Sequence, residues 1–205
     1  MAKKAALSMT YIGGPTALIE FDRLKLITDP AFDPAGGEYV AGPVTLWKTE
    51  GPALDAASVG KIDAVLLSHD HHFDNLDRSG RELLASAGQV ITTEEGAARL
   101  GGNATGLAHW QTIELPGPDG RILRVTGAPA RHGPEGGDRG PVIGFVLQFT
   151  DDPENAIYVS GDTVWYEGVE EVLRRFPIKI AVLFLGAARV PVSPSHVTFT
   201  AEEGV

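Results

Sequence analysis

The sequence predicts an α/β fold in which helices lie outside two mixed β-sheets. Many short apolar or alternating segments are typical of strands, a few segments between them have helical periodicity, and Gly or Pro residues separate them. With 205 residues the chain has the length of one ordinary domain, or at most of a compact pair of half-domains, and it can bury a hydrophobic core. We therefore expect a single domain over residues 1–205.

The first half of the chain predicts strands followed by a loop and a helix. The predicted strands cover residues 7–12, 16–21, 24–28 and 62–67. The stretch 33–53 is rich in Gly and Pro and has neither a helical nor a strand period, so it predicts a long surface loop. Within it, Tyr39 and Trp47 are candidate walls of a pocket, or they cover the loop's own small core. Residues 77–87 predict a helix that ends near Gly88.

The rest of the chain continues this alternation. Further strands are predicted at residues 89–92, 111–115, 121–126, 142–149, 157–160 and 180–185. Thr92 and Glu95 have the spacing of a capping box, which predicts a short helix to Leu100. Residues 169–176 predict a helix that Pro177 stops.

Composition excludes several classes of protein. The chain has no cysteine, which excludes disulfide scaffolds, thiolate zinc sites and cysteine nucleophiles. Any metal must therefore bind to His, Asp, Glu or Asn. The formal net charge of -10 argues against nucleic acid as a partner, because phosphate binding requires surfaces rich in Lys and Arg. We expect a small-molecule substrate and no nucleic-acid partner, and the sequence leaves the oligomeric state open.

The two ends and the apolar runs predict where the protein works. No apolar run approaches the about 20 residues that span a bilayer, so no membrane partner is expected. The start, Met1 to Ser8, has basic residues but no apolar signal core, which predicts a cytoplasmic protein. At the other end, Thr200 and Glu203 form a capping box with only two residues after it, so we expect a truncated C-terminal end.

Four polar clusters each follow a strand-like run, where α/β proteins gather active-site side chains. They are the segments 68–77, 130–134, 160–163 and 195–198. The first holds three of the six histidines, and the others hold His132, Asp162 and His196. Imidazole and carboxylate suit zinc, iron or manganese, and ligands scattered over several loops are typical of a catalytic site with open positions.

The motifs around these clusters carry a family resemblance over nearly the whole chain. They are Thr10-Tyr-Ile-Gly-Gly-Pro-Thr16, Thr28-Asp29-Pro30, the histidine-rich loop, Ala130-Arg131-His132, Gly161-Asp162-Thr163 and His196-Val197-Thr198. With them the sequence resembles the metallo-β-lactamase superfamily, in particular the branch of L-ascorbate-phosphate lactonase and N-acyl-phosphatidylethanolamine phospholipase D. The resemblance implies a four-layer αββα sandwich of two mixed β-sheets, with one or two metals between the sheets.

The family's loop, His-x-His-x-Asp-His, fits this sequence in two frames. Anchoring on His69 makes His69 and His71 the first pair but puts Phe73 in the Asp position and Asp74 in the last His position. The first frame makes His71 a ligand, whereas the second makes it face outward.

The second frame, anchored on Asp74, is favoured. It restores the Asp and puts Asp70, His72 and Asn75 in the histidine positions. An extended loop start would project the alternate residues Asp70, His72 and Asp74 on one side. In this frame His69 is still able to reach a metal or to brace a carboxylate.

The resemblance also implies roles outside this loop. It makes His132 the third ligand of the first metal, Asp162 the carboxylate that bridges two metals, and His196 a ligand of the second metal. It makes Asp29 a supporting residue that orients a ligand by a hydrogen bond, while a turn-forming Asp before Pro is the alternative. One or two divalent metal ions are implied, with zinc first and manganese or iron as alternatives.

The chemistry implied is that of a metal-dependent hydrolase. Such an enzyme cleaves a small ester, lactone or phosphoester by attack of a metal-bound hydroxide. Asp74 and Asp162 are the catalytic candidates, and Asp74 orients or deprotonates the water. The alternative is a non-catalytic or degenerate metal-binding member of the same fold, since the histidine loop departs from the family pattern.

Overall fold

The structure, a computed structural model, describes residues 6–41, 44–117, 120–191 and 194–205. Residues 1–5 at the start of the chain and residues 42–43 of the predicted loop thus lie outside the described residues. The chain divides into an N-terminal unit, Ala6–Gly106, and a C-terminal unit, Leu107–Val205. The expectation of a single domain over residues 1–205 stays a prediction.

The N-terminal unit is built on a mixed sheet. Its strands, in chain order, are β1 Leu7–Gly13, β2 Thr16–Phe21, β3 Leu24–Thr28, β4 Glu38–Ala41, β5 Val44–Trp47, β6 Ala64–Leu66, β7 Gln89–Thr93 and β8 Ala104–Leu107. Six of them form one sheet in the order β1-β2-β3-β6-β7-β8, while β4 and β5 form a separate hairpin. Strands β1, β2 and β3 pair antiparallel, and β3, β6 and β7 pair parallel.

Two short helices follow strands of this sheet, and a side chain caps each of them. Helix α1 is Arg78–Leu84, and the Asp77 carboxylate accepts a hydrogen bond from the backbone N–H of Gly80. Helix α2 is Glu94–Leu100, and Thr93 accepts from Gly96 in the same way. Such caps satisfy backbone donors that have no partner inside a helix.

The core of the N-terminal unit lies against α1 and the parallel strands. It contains apolar side chains that are at most 8% exposed: Ile12, Leu18, Ile27, Phe32, Val59, Ile62, Val65, Leu67, Leu76, Leu83, Leu84, Ala87 and Val90. Because the strand β6 is buried along its whole length, the residues that follow it emerge from a rigid base.

The C-terminal unit has a second mixed sheet. Its elements are β9 Thr112–Pro116, β10 Ile122–Pro129, β11 Ile143–Phe149, β12 Ala156–Val159, α3 Glu167–Arg175 and β13 Ile178–Val182. The order is β13-β12-β11-β10-β9, with β12 and β13 parallel and the other pairs antiparallel. Val169 and Val172 of α3 pack into a core with Tyr158 and Phe199.

Most predicted elements are confirmed, with corrections at three places. The predicted loop 33–53 contains the hairpin of β4 and β5, and β8 was not predicted. The cap of α2 is Thr93, so the assignment of this role to Thr92 was wrong by one residue. At residue 200 the predicted box forms: the N–H of Thr200 donates to Glu203, and the N–H of Glu203 donates to Thr200.

The strand and helix pattern of both units confirms the α/β class with mixed sheets. Among the helices of the described residues, none combines the length and the apolar character needed to cross a membrane.

Candidate metal centre

Three histidines lie together in the loop between β6 and α1. The ligating atoms of His69, His71 and His72 are all within 4.8 Å of one another. Nε2 of His69 lies 2.9 Å from Nδ1 of His72. His69 is completely buried, and the other two are half-buried. The interpretation of His71 as outward-facing is therefore corrected, because its ring lies beside those of His69 and His72.

A hydrogen-bond chain fixes the proton on the ring of His69. The Ser68 hydroxyl donates to Oδ1 of Asp29 over 2.6 Å, so its single proton is already used. Nδ1 of His69, 2.9 Å from the same hydroxyl oxygen, must then be the donor of that contact. The Nδ1–H tautomer carries its lone pair on Nε2, which is the nitrogen that faces His72.

Asp29 is the anchor of this chain. It is fully buried, and Oδ1 also accepts from the backbone N–H of Ser68 at 3.0 Å and from the amide of Asn75 at 3.4 Å. Its backbone has φ of 28°, a left-handed value that Asp adopts more readily than most residues. The carboxylate thus holds both ends of the histidine loop.

Asp70 is held by an ion pair. Both of its carboxylate oxygens accept hydrogen bonds from Arg99 of α2, and its carbonyl oxygen accepts from Arg81. Burial raises the pKa of the Asp70 carboxyl, but the hydrogen bonds and charge of Arg99 outweigh it and place that pKa below its ordinary value. The structure therefore brings Asp70 to Arg99 rather than into the histidine cluster.

Asp74 lies at the edge of a cavity and not in the hydrogen-bond chain. It lines this cavity together with Phe73. The residue as a whole is exposed, yet desolvation raises the pKa of its carboxyl above the ordinary value. A carboxylate with a raised pKa is a better proton acceptor than an ordinary one.

The C-terminal unit brings together a second pair of candidate ligands. His132 follows β10 and Asp162 follows β12, and Nε2 of His132 lies 3.6 Å from Oδ2 of Asp162. Both residues are buried. Nδ1 of His132 donates to the carbonyl oxygen of Val197 at 2.7 Å, since a carbonyl only accepts. His132 thus also carries a proton on Nδ1, and its Nε2 faces the carboxylate.

His196 and Arg131 occupy different surroundings from that pair. The Nε–H group of Arg189 donates to Nε2 of His196 at 2.8 Å. The guanidinium of Arg131 lies over the ring of Tyr166, 4.5 Å from its centroid. Nε2 of His196 is therefore engaged by Arg189 in this structure.

The donor geometry fits a divalent metal in both units. Adjacent ligands of a tetrahedral zinc ion at about 2.0–2.1 Å lie roughly 3.3 Å apart. The His69–His72 separation of 2.9 Å and the His132–Asp162 separation of 3.6 Å fall on either side of that value. A metal-bound histidine usually donates its other ring N–H to a fixed acceptor, as His69 and His132 do here.

Sequence reasoning gave no role to Ser68. It stands directly before His69, but its partner Asp29 is 39 residues away in the chain, so no local spacing reveals the contact. The Thr28-Asp29-Pro30 motif was the one available signal, and it identified Asp29 as a possible supporting residue.

Comparison with known sequences shows which proteins this chain resembles. The family model described as Beta-lactamase superfamily domain matches residues 25–205. An uncharacterized protein of Mycobacterium tuberculosis is 38% identical over 72 residues, which are 35% of this chain and 18% of that relative's length. A relative from Pyrobaculum calidifontis, named as a UPF0173 metal-dependent hydrolase, is 26% identical over 185 residues, 88% of this chain and 72% of the relative.

A solved structure confirms the fold. The isothiocyanate hydrolase from gut bacteria of Delia radicum matches 95% of this chain and 77% of its own with a TM-score of 0.75 and 22% sequence identity. At this identity the likeness is one of fold, and the fold class predicted from the sequence is confirmed.

Proposed function

The chain belongs to the metallo-β-lactamase superfamily, and from this premise we propose that it is a metal-dependent hydrolase acting on a small molecule. The bond cleaved is that of an ester, a lactone or a phosphoester. The predictions of a cytoplasmic location, and of no nucleic-acid or membrane partner, stay predictions.

One observation supports the proposal above the others: the proton of both buried histidines sits on Nδ1. His69 donates it to Ser68, and His132 donates it to the Val197 carbonyl. Two histidines that each carry a proton on Nδ1 and turn Nε2 towards another ligand-type side chain are typical of a metal site and are not expected in a solvated polar loop.

We propose His69 and His72 as one ligand pair and His132 and Asp162 as another. His69 and His72 are preferred to Asp70, because Arg99 occupies both oxygens of Asp70. With nitrogen and oxygen donors only, the chain suits zinc first, and manganese or iron as alternatives, in one or two ions. When bound, the ion acts as a Lewis acid that polarises the scissile group and lowers the pKa of water.

The chain's own acids complete the proposed chemistry. Asp74, whose pKa desolvation raises, accepts a proton from the attacking water at its carboxylate. Asp162 lies beside Nε2 of His132 in the buried segment that follows β12. Asp74 is the proposed catalytic base, and Asp162 is the proposed catalytic ligand. His196 remains a proposed ligand of a second ion, which requires that it exchange its contact with Arg189.

The test is metal content by elemental analysis, alongside turnover of an ester, a lactone and a phosphodiester. Wild-type protein, purified without chelator or affinity metal, should contain one or two equivalents of metal and hydrolyse a member of the panel. Asp162→Ala should lose both metal and turnover. Glu154→Ala, which removes an exposed acid of the same unit, should keep both. Equal activity in Asp162→Ala and wild type would refute the assignment.

A non-catalytic metal-binding protein is the second candidate. The observation that favours it is Asn75, which stands in a histidine position of the favoured frame and donates its amide to Asp29. Bound metal without turnover of any substrate in the panel would support this candidate over the hydrolase.

A further inference from the structure

A cavity of about 310 Å³ opens in the N-terminal unit beside Asp74. The hairpin of β4 and β5 forms one side, through Tyr39, Leu46 and Trp47, and Phe73 of the histidine loop forms another. This volume lies at the lower end of small-molecule sites, which measure about 300–1,000 Å³. The cavity is therefore large enough for part of a small substrate.

The walls of the cavity are mainly aromatic and apolar. The rings of Tyr39 and Phe73 stack with centroids 5.3 Å apart and an angle of 30° between their planes. Leu46 is directly opposite Tyr39 in the hairpin, so their side chains share one face. Trp47, the next residue along β5, also lines the cavity and is 66% exposed. Flat apolar walls of this kind favour another flat ring.

The Tyr39 wall is fixed in place by contacts outside the cavity. Its hydroxyl donates to Oδ2 of Asp33 at 2.7 Å, and Oδ1 of Asp33 accepts from both the N–H and the hydroxyl of Ser79. A Cβ at Gly37 would lie 2.7 Å from the Tyr39 hydroxyl, so only glycine leaves that ring its position. A wall already ordered does not have to be ordered when a ligand binds.

The charges around the cavity disfavour anions. Among the described residues that line it, Lys48 is the only cation, and Glu50 and Asp74 are the acids. The Lys48 ammonium donates to the buried carboxylate of Asp77 at 3.0 Å and to the Ala31 carbonyl oxygen at 2.9 Å. Its charge is thereby neutralised inside the protein, which leaves the cavity net negative.

We propose that this cavity binds an uncharged aromatic ring, with Trp47 and Phe73 as the specificity-determining residues. The inference rests on the proposed function in one respect: the ring is a non-reacting part of the small molecule that the hydrolase cleaves. It narrows the substrate class to neutral esters or lactones that carry an aromatic group and disfavours phosphoesters.

Binding of simple probes to the full chain tests the proposal without any need for turnover. Benzyl alcohol and benzoate carry the same ring, the first without a charge and the second with a negative charge. Both are titrated by ligand-observed NMR, before and after metal removal. Benzyl alcohol should bind, and benzoate should bind at least about tenfold more weakly. Trp47→Ala and Phe73→Leu should each weaken benzyl alcohol binding up to about tenfold, as expected for the loss of a stacked ring.

Tyr11→Ala is the matched control, because Tyr11 is a 70% exposed aromatic residue of the same unit and does not line the cavity. It should leave the affinity unchanged. Trp47 is exposed, so its variant keeps the fold even where Phe73→Leu does not. Equal binding of benzyl alcohol and benzoate, or unchanged affinity in Trp47→Ala, would overturn the proposal. Ring binding in a protein that hydrolyses nothing would leave the cavity assignment standing and refute the hydrolase.

Discussion

Ser68 and Asp29 are joined by a 2.6 Å hydrogen bond that determines which nitrogen of His69 carries the proton. The hydroxyl gives its proton to the carboxylate and can therefore only accept from Nδ1 of His69. The bond connects the end of β3 to the loop after β6, and these two strands are adjacent and parallel. Because β3 and β6 are neighbours in the sheet, Asp29 and Ser68 come into contact. This contact places a proton of His69 on Nδ1 and so makes Nε2 the candidate ligand atom.

Ser68→Ala should weaken metal binding about 10–100-fold, the usual cost of losing a partner that orients a ligating histidine. Without the hydroxyl, the ring of His69 loses the acceptor that selects its tautomer. The affinity is measured by competition with a chromogenic chelator. Ser86→Ala, which removes a hydroxyl that donates to the Leu83 carbonyl, should leave the affinity unchanged. Equal affinity in Ser68→Ala and wild type would show that the tautomer is set by something else.

Two adjacent threonines should respond differently to loss of their hydroxyls. Thr93→Ala removes the cap of α2 and should lower the free energy of unfolding by about 1 kcal/mol. Thr92→Val should be neutral or stabilising, because the Thr92 hydroxyl is buried and has no hydrogen-bond partner among the described residues. Urea unfolding of both variants checks this pair. A larger loss of the free energy of unfolding in Thr92→Val than in Thr93→Ala would show that Thr92 is the cap.

The same pair shows where sequence patterns stop being sufficient. Both threonines stand at the end of β7. The cap is the threonine at which the backbone leaves the strand, and the position of that point depends on how far β7 continues to pair with its neighbour. The hairpin of β4 and β5 was missed for a related reason. Tyr39 and Val40 are both apolar, but Tyr39 is buried and Val40 is 65% exposed, so hydropathy shows no alternation there.

In the candidate site, too, part of the arrangement could be predicted from local sequence patterns and part could not. Its proposed ligands were all among the predicted ones, because His and Asp after apolar strands are a local signal: His69, His72, His132 and Asp162. The partners that decide their roles were not, since they come from distant parts of the chain. Arg99, 29 residues from Asp70, donates hydrogen bonds to the Asp70 carboxylate. This contact is the reason why His69 and His72, rather than Asp70, are the proposed ligand pair.

Asp33 should contribute a component of stability that depends on pH. Burial raises the pKa of its carboxyl, but hydrogen bonds from Ser79 and Tyr39 outweigh burial and lower the pKa to about 2 from the usual 3.8. Because the pKa is lower in the folded state, the contribution is fully present above pH about 4 and is lost as the pH falls through about 2. Asp33→Asn should therefore be less stable than wild type at pH 6, and the gap should shrink towards pH 2.

The measurement is urea unfolding of both proteins across that range. Glu82→Gln, which neutralises an exposed acid on α1, should differ little from wild type at any pH in it. A gap between Asp33→Asn and wild type that stays constant from pH 6 to pH 2.5 would mean that the carboxylate is not stabilised by its charge.

Gly80 should be the least tolerant glycine of the helices to substitution by alanine. In an exposed helix interior, alanine is better than glycine by about 1 kcal/mol. In α1, however, a Cβ at residue 80 would lie 1.8 Å from the carbonyl oxygen of Pro30, and a backbone atom cannot rotate away. We expect Gly80→Ala to lower the free energy of unfolding by about 3 kcal/mol, the upper range for overpacking.

Gly168→Ala in α3 is the matched control, because the three atoms nearest to its new Cβ all belong to the far end of the Tyr166 side chain rather than to backbone. Its loss should be within about 1 kcal/mol. Since Pro30 directly follows Asp29, displacing α1 should also disturb the bond to Ser68, and Gly80→Ala should bind metal more weakly than wild type where it still folds. A Gly80→Ala protein as stable as wild type would show that α1 does not pack against the Pro30 backbone.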